Sequence, residues 1–214
     1  MSIIAFINQK GGTGKSTSSL HFAHWLATQQ KRKVSVVDAD PQRSLSRWFA
    51  SMESHIPVTA LTSADDLLEK IPVLAESVDF LVIDGGASLS EATRAILFRT
   101  DLAILPCQPS KLDLDACADT VRLVRQAQSV RKGAPKAAVF LSRAQKNTKL
   151  KTEAIAVLQK IPDVTALKTI VHQKQSVADS FGQAATVWDL SGSGAADAAA
   201  EFEQLFKEIL RLVS

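Results

Sequence analysis

The sequence predicts an α/β fold: a doubly wound, mostly parallel sheet with helices on both faces. Three observations point to it. Short apolar runs alternate with helix-spaced segments along all 214 residues. The runs are continuous rather than alternating, as strands are when both faces of their sheet are covered. The first run ends in a glycine-rich loop that opens directly into a helical segment.

Ile3 to Ile7 is apolar and reads as a buried strand. Lys15 to Gln29 follows with helical spacing, Leu20, Ala23, Leu26 and Ala27 sharing a face. Val34 to Val37 is the next strand, ending at Asp38. After Pro41, Arg43 to Met52 is a helix with Leu45, Trp48 and Phe49 on one side. Val58 to Leu61 is a short strand and Ala64 to Ala75 a helix. Phe80 to Ile83 is a buried strand ending at Asp84. Leu89 to Phe98 is a helix, and Leu102 to Leu105 a strand stopped by Pro106. Asp113 to Gln128 is a helix, Ala137 to Leu141 a strand, Lys149 to Gln159 a helix and Val164 to Leu167 a strand. Gln175 to Phe181 and Ala195 to Val213 are helices. No repeat, low-complexity stretch or linker interrupts this order, so residues 1–214 are expected to form a single domain.

Composition excludes several classes. Hydrophobic residues make up 46% and charged residues 22%, an ordinary globular balance. No apolar run approaches the roughly 20 residues that span a bilayer. The N-terminus lacks the basic flank and cleavage site of a signal peptide. Cys107 and Cys117 make neither a metal-type spacing nor a disulfide framework, which favours a reducing, cytoplasmic setting. Net charge is +3 but unevenly placed. From Arg122 to Lys174 there are twelve Lys or Arg against Glu153 and Asp163, so that segment carries +10 and the rest −7. Such a segment is either a solvated face or a polyanion-binding one.

The loop Lys10-Gly-Gly-Thr-Gly-Lys-Ser-Thr17 lies between a predicted strand and a predicted helix, the context of a phosphate loop. Gly11, Gly12 and Gly14, with Thr13 between them, let backbone N–H groups close around phosphate at a helix N-terminus. Lys15 is placed to reach the β- and γ-phosphates of ATP. Ser16 offers a hydroxyl to Mg²⁺, and Thr17 one to the α-phosphate. Asp38 and Asp40, in Val36-Val-Asp-Ala-Asp-Pro-Gln42, sit where a parallel sheet places ligands, at a strand's C-terminal end. They can position water and Mg²⁺ opposite the γ-phosphate, although Asp and Pro also build turns. Phe80-Leu-Val-Ile-Asp84 reads as a Walker B strand whose Asp84 holds Mg²⁺ through water. Gly85-Gly86 permits close backbone approach.

Gln9-Lys10 stands where the common phosphate loop begins with glycine. KGGTGKST resembles the deviant Walker A box of the ParA/MinD superfamily, and Asp38 to Gln42 resembles its D-x-D-P-Q segment. Gly85-Gly-Ala-Ser-Leu-Ser90 resembles the small ParA-type plasmid-partition branch. The resemblance implies that Lys10 reaches across a nucleotide-sandwich homodimer to the partner's ATP. It places Asp38 near the attacking water and the Mg²⁺ shell, and assigns Asp40 and Gln42 to the segment that senses the γ-phosphate. Leu105-Pro-Cys-Gln-Pro-Ser110 resembles the family's proline-containing segment. Leu141-Ser-Arg143 falls where relatives contact adenine; Arg143 fits that role or the basic face.

The resemblance covers nearly the whole chain and implies an ATP hydrolase that works as a switch. ATP joins two copies, the dimer binds DNA without reading sequence, and a ParB-like or small adaptor protein stimulates hydrolysis and release. The protein is then expected in the cytoplasm, on the nucleoid when ATP-bound. The first strand begins too early for a helix-turn-helix reader before it, as in small ParA proteins. Lys146, Lys149, Lys151, Lys168 and Lys174 are the expected DNA contacts, with Lys149 or Lys151 alternatively reaching nucleotide. A MinD-like, membrane-associated positioning ATPase is the alternative. Its anchor is a basic amphipathic helix, whereas the charges of Glu201 to Ser214 sum to −1. That helix is expected to pack on the domain instead, with no membrane contact. A metal-cluster carrier on the same fold would need paired cysteine ligands.

Overall fold

A computed structural model describes residues 1–88 and 90–213. The elements run β1 (Ser2–Phe6), α1 (Lys15–Thr28), β2 (Val34–Asp38), α2 (Ser44–Ser51), β3 (Val58–Ala60), α3 (Ala64–Glu76) and β4 (Phe80–Asp84). They continue with α4 (Glu91–Arg99), β5 (Leu102–Cys107), α5 (Lys111–Val130), β6 (Lys136–Leu141), α6 (Lys149–Leu158), β7 (Thr165–Ala166), α7 (Gln175–Gly182) and α8 (Ser193–Val213). All predicted elements are present, with ends shifted by a residue or two. The exception in coverage is Leu89, the expected start of α4, which lies outside the described residues.

The strands form one sheet in the order β3-β2-β4-β1-β5-β6-β7, and every pairing is parallel. β1 and β4 are central, so their C-terminal ends meet near the middle of one edge. The register sets Asp84 opposite both Phe6 of β1 and Asp38 of β2. Two carboxylates therefore stand side by side on neighbouring strands, next to the loop that follows β1.

Alternate strand residues feed two separate cores, one on each sheet face. Ile3, Ala5 and Ile7 pack with α3, α4, α5 and α6. Ile4 and Phe6 pack with α1, α2 and α8. Helix α8 buries Phe202, Leu205, Phe206 and Ile209 in the second core, as expected of a helix that packs on the domain. Among the described residues, no helix is long and apolar enough to cross a membrane.

One expectation is extended and one needs correction. Helix α1 packs Leu20, Ala23 and Leu26 into one core with Ala27 half-buried against it, and buries Phe22 and Trp25 as well. The helix lies between the sheet and both α2 and α8, so it is covered on more than one side. Strand β5 does not stop before Pro106 but runs to Cys107, pairing Pro106 with Phe140 and Cys107 with Leu141. Proline is tolerated because the β1 pairing ends at Ile104. Ile104 bonds toward β1 and Cys107 toward β6, so the nitrogen of Pro106 falls on the side where β1 has stopped.

Candidate active site

The segment after β1 becomes a phosphate cradle because its carbonyls are tied from outside. Gly12 O accepts from Gln108 Nε2 at 2.7 Å and from Arg143 Nη1 at 2.8 Å. Thr13 O accepts from Ser142 Oγ at 2.7 Å. Side chains from the ends of β5 and β6 thus hold the carbonyls, leaving the loop N–H groups for an anion. Gly14 precedes α1 with φ +94°, a conformation that requires glycine. Gly85 is needed for space: a Cβ there would lie 2.9 Å from Ile7 Cγ2 and 3.1 Å from Phe6 O.

The two loop lysines part ways. Lys15 is buried, and its Nζ donates to Lys10 O at 3.0 Å inside the cradle. Burial lowers its pKa, opposed by the nearby carboxylates of Asp84 and Asp40. Lys10 turns away and pairs with Asp113 at 2.7 Å, its side chain 38% exposed. Asp113 is buried in the first turn of α5 and is also bonded by Ser110 Oγ. Its second oxygen has no partner among the described residues.

Asp38 and Asp84 are both fully buried, yet their surroundings differ. Asp38 Oδ2 accepts from Ser46 N at 2.8 Å and Ser46 Oγ at 2.7 Å, and its Oδ1 from Asp40 N at 3.2 Å. Neither oxygen of Asp84 has a hydrogen-bond partner of ordinary geometry among the described residues. Desolvation pushes the Asp84 pKa up to about 7; the Ser16 hydroxyl lies near enough to offset part of this, and Asp38 adds to the rise. Orphaned buried carboxylate oxygens beside a serine hydroxyl fit a hard divalent cation, which would supply the missing partner.

A cleft of 470 Å³ opens over the loop. Its lining includes Gly11, Gly12, Gly14, Lys15, Ser16, Thr17, Asp40, Gln42 and Arg143, all expected from the sequence. Thr13 is buried behind the loop rather than in the cleft, and Lys149 and Lys151 do not line it. The far wall went unpredicted. It is made by the 171–175 segment together with Trp48, Val177, Ala178 and Phe181. Glu201 of α8 holds this segment, accepting from His172 N and Nδ1, each at 2.9 Å, and pairing with Lys174. Lys174 is consequently not a surface cation; its side chain is 11% exposed, and the carboxylate of Glu201 neutralises it. Lys146, Lys149 and Lys168 are exposed and Lys151 partly so. The free thiols Cys107 and Cys117 are both buried, and the neighbouring Cys117 together with burial pushes the Cys107 pKa up.

A parallel sheet with a lysine-bearing phosphate loop after its first strand, and carboxylates closing the next two strand ends on that side, defines a nucleotide-binding α/β protein. Residues 4–187 match the model of the CobQ/CobB/MinD/ParA nucleotide-binding domain, and the chain belongs to that family as a ParA/MinD-type ATPase. Over 213 residues it is 30% identical to the "Maintenance of carboxysome distribution protein A" of Halothiobacillus neapolitanus, covering 97% of this chain and 95% of that protein. Treponema pallidum "Chromosome-partitioning ATPase Soj" is 25% identical, over 97% of this chain and 96% of its own. Cyanothece McdA, solved apo and, as its D38A variant, in complex with ATP, has the same fold, with TM-scores of 0.82 and 0.78 at 18% identity. Each match covers 98% of this chain, and 99% and 96% of McdA respectively.

Proposed function

We propose that this protein is a positioning ATPase whose ATP-bound homodimer holds non-specific DNA and whose hydrolysis releases it. The observation that carries the reading is the divergence of the two lysines. Lys15 serves the nucleotide of its own chain. Lys10 stands outside that cradle at a partly exposed position, available to a second subunit once it leaves Asp113. ATP binding is thereby linked to dimerisation. The names of the relatives from Halothiobacillus and Treponema, which concern carboxysome distribution and chromosome partitioning, support a role in moving a cargo.

In this reading the loop N–H groups and Lys15 bind the phosphates. Ser16 and Asp84 would hold Mg²⁺, with Asp38 beside them, and the cation would supply charge neutralisation at the phosphates. Asp38 orients the attacking water, and Asp40 and Gln42 sense the γ-phosphate. Arg143 braces the loop through Gly12 O and closes the cleft toward the base. Lys146, Lys149, Lys151 and Lys168 form the DNA face, and an adaptor protein stimulates turnover. The lining and the carboxylates favour ATP with Mg²⁺ as the bound species, and binding to DNA would place the ATP-bound dimer on the nucleoid.

DNA retention tests this. Protein loaded with ATP and Mg²⁺ should be retained on a random-sequence duplex at low salt, and protein with ADP should not. Changing Lys146, Lys149, Lys151 and Lys168 together to Ala should flatten the salt dependence by up to about four counterions per subunit of the dimer. ATP-bound dimer that stays off DNA at low salt sinks the DNA reading.

A further inference from the structure

We infer that Ser46 is the positioning residue for Asp38, and that helix α2 is the element through which the carboxylate is aimed. The inference rests on the reading of Asp38 above. Like Asp38 and Asp84 themselves, Ser46 does not line the cleft, and among the described residues its hydroxyl bonds only the Asp38 carboxylate.

The geometry is reciprocal. Helix α2 begins without a cap of its own: Arg43 precedes it in the left-handed conformation at φ +51°, with no side-chain bond to the first turn. Ser46 is the third residue of α2, so its N–H is one of the donors that a helix start leaves without an internal partner. Asp38 supplies the missing acceptor from the end of β2, eight positions earlier. The same oxygen takes the Ser46 hydroxyl. An anion at a helix N-terminus is also favoured by the helix dipole. Asp38 is fully buried, and among the described residues the one other bond to its carboxylate comes from Asp40 N on Oδ1. The direction of its carboxylate is therefore set by Ser46.

Helix α2 is held in turn. Trp48 Nε1 donates to Ala185 O at 3.1 Å, and its ring meets Phe181 of α7 edge-on at 5.4 Å and His21 of α1 at 5.5 Å. Trp48 and Phe181 both line the cleft. The chain of contacts runs from the cleft wall through α2 to Asp38, so the carboxylate is held by a packed helix rather than by a loose loop.

The test compares Ser46→Ala, Ser46→Thr and Asp38→Ala in the full chain, reading ATP turnover, ATP affinity and thermal midpoint. Asp38→Ala should abolish turnover while still binding ATP. Ser46→Ala keeps the backbone bond and loses the hydroxyl; kcat should fall about tenfold, as expected for one bond to a charged group. ATP affinity should stay within about twofold of the parent, because Ser46 touches no part of the cleft. Ser46→Thr retains a hydroxyl and should restore most of kcat. Unchanged kcat in Ser46→Ala alongside an inactive Asp38→Ala overturns the role of Ser46 and leaves that of Asp38 standing. A loss of ATP affinity in step with kcat overturns it too, since that marks a damaged cleft. Normal turnover in Asp38→Ala overturns the reading of Asp38, and the inference with it.

Discussion

The ends of β2 and β4 are neighbours in register and finish on the same residue type, but they are built in opposite ways. Asp38, at the end of β2, is satisfied within the protein: a helix start and a serine hydroxyl fill one oxygen and a backbone amide the other. Asp84, at the end of β4, is equally buried, and among the described residues neither of its oxygens has a partner of ordinary geometry. A group that must hold one orientation is best locked by the fold. A group that must accept a cation is best left open, and the fold bears the cost of desolvating it. The contrast is what the proposed roles, an aiming carboxylate at Asp38 and a receiving one at Asp84, would require.

The largest expected effect tests the receiving side. Lys15 is the buried cation whose charge falls on Asp84. Lys15→Ala should weaken ATP binding at least about a hundredfold, or about 3 kcal/mol, when measured by titration with a fluorescent ATP analogue. Lys10→Ala should bind nucleotide almost as the parent does, because Lys10 lies outside its own cradle, and should fail to dimerise with ATP by light scattering. Equal loss of affinity in both variants would remove the distinction between the two lysines.

How much of this was legible in the sequence depends on how far apart the partners lie along the chain. The loop from Lys10 to Thr17 could be read because its chemistry is contiguous and its glycines have no other use. Asp38 and Asp84 could be read because each closes an apolar run, and parallel strands bring their C-terminal ends to one edge. The difference between them could not be read: it depends on Ser46 capping backward onto β2, and no pattern of spacing separates a bonded carboxylate from an open one. The Lys10–Asp113 pair joins residues 103 positions apart. The bracing of Gly12 by Gln108 and Arg143 also spans the strand order rather than the sequence. Lys174 shows the limit of counting charge. It falls within the +10 segment, yet it is turned inward onto a glutamate from α8. Pro106 misled because proline ends a strand only where the neighbour on its nitrogen's side needs that N–H, and on that side β1 has already stopped.

His21 extends the comparison to a third buried titratable group, and it is of the satisfied kind. Its Nε2 accepts from Val187 N at 3.2 Å, so its Nδ1 carries the proton and donates to Thr17 O at 2.7 Å. The ring stacks on Phe202 at 4.7 Å. The neutral ring fits and the charged one does not, and burial lowers the pKa from 6.5 to about 4. Between these values the unfolded chain binds the proton and the folded chain does not. Stability is therefore full above pH 6.5 and falls as pH drops toward 4, by about 3 kcal/mol from this residue. Urea unfolding at pH 7 and near pH 4 should show the loss, and His21→Gln should flatten it. An unchanged pH slope in that variant would assign the acid sensitivity elsewhere.

The smallest effect is the sharpest test of the contrast, because the two aspartates should move stability in opposite directions. Asp38→Asn replaces an acceptor that takes two bonds from Ser46 and caps α2 through a charge. It should destabilise the nucleotide-free protein by about 1–2 kcal/mol. Asp84→Asn removes a buried carboxylate whose oxygens have no hydrogen-bond partner of ordinary geometry among the described residues, and whose desolvation outweighs the attraction of Lys15. It should stabilise the nucleotide-free protein by about 1–2 kcal/mol, a rise of about 4 °C in a chain of this size. Adding ATP and Mg²⁺ should reverse the second result. Ligand stabilises a protein only as far as it binds the folded state, so the parent should gain more from Mg²⁺ than Asp84→Asn does. Thermal unfolding with and without Mg²⁺ reads both variants in one experiment. If both substitutions lower the midpoint without ligand, Asp84 has partners in solution that supply what its bonding lacks here, and the division between an aiming and a receiving carboxylate fails.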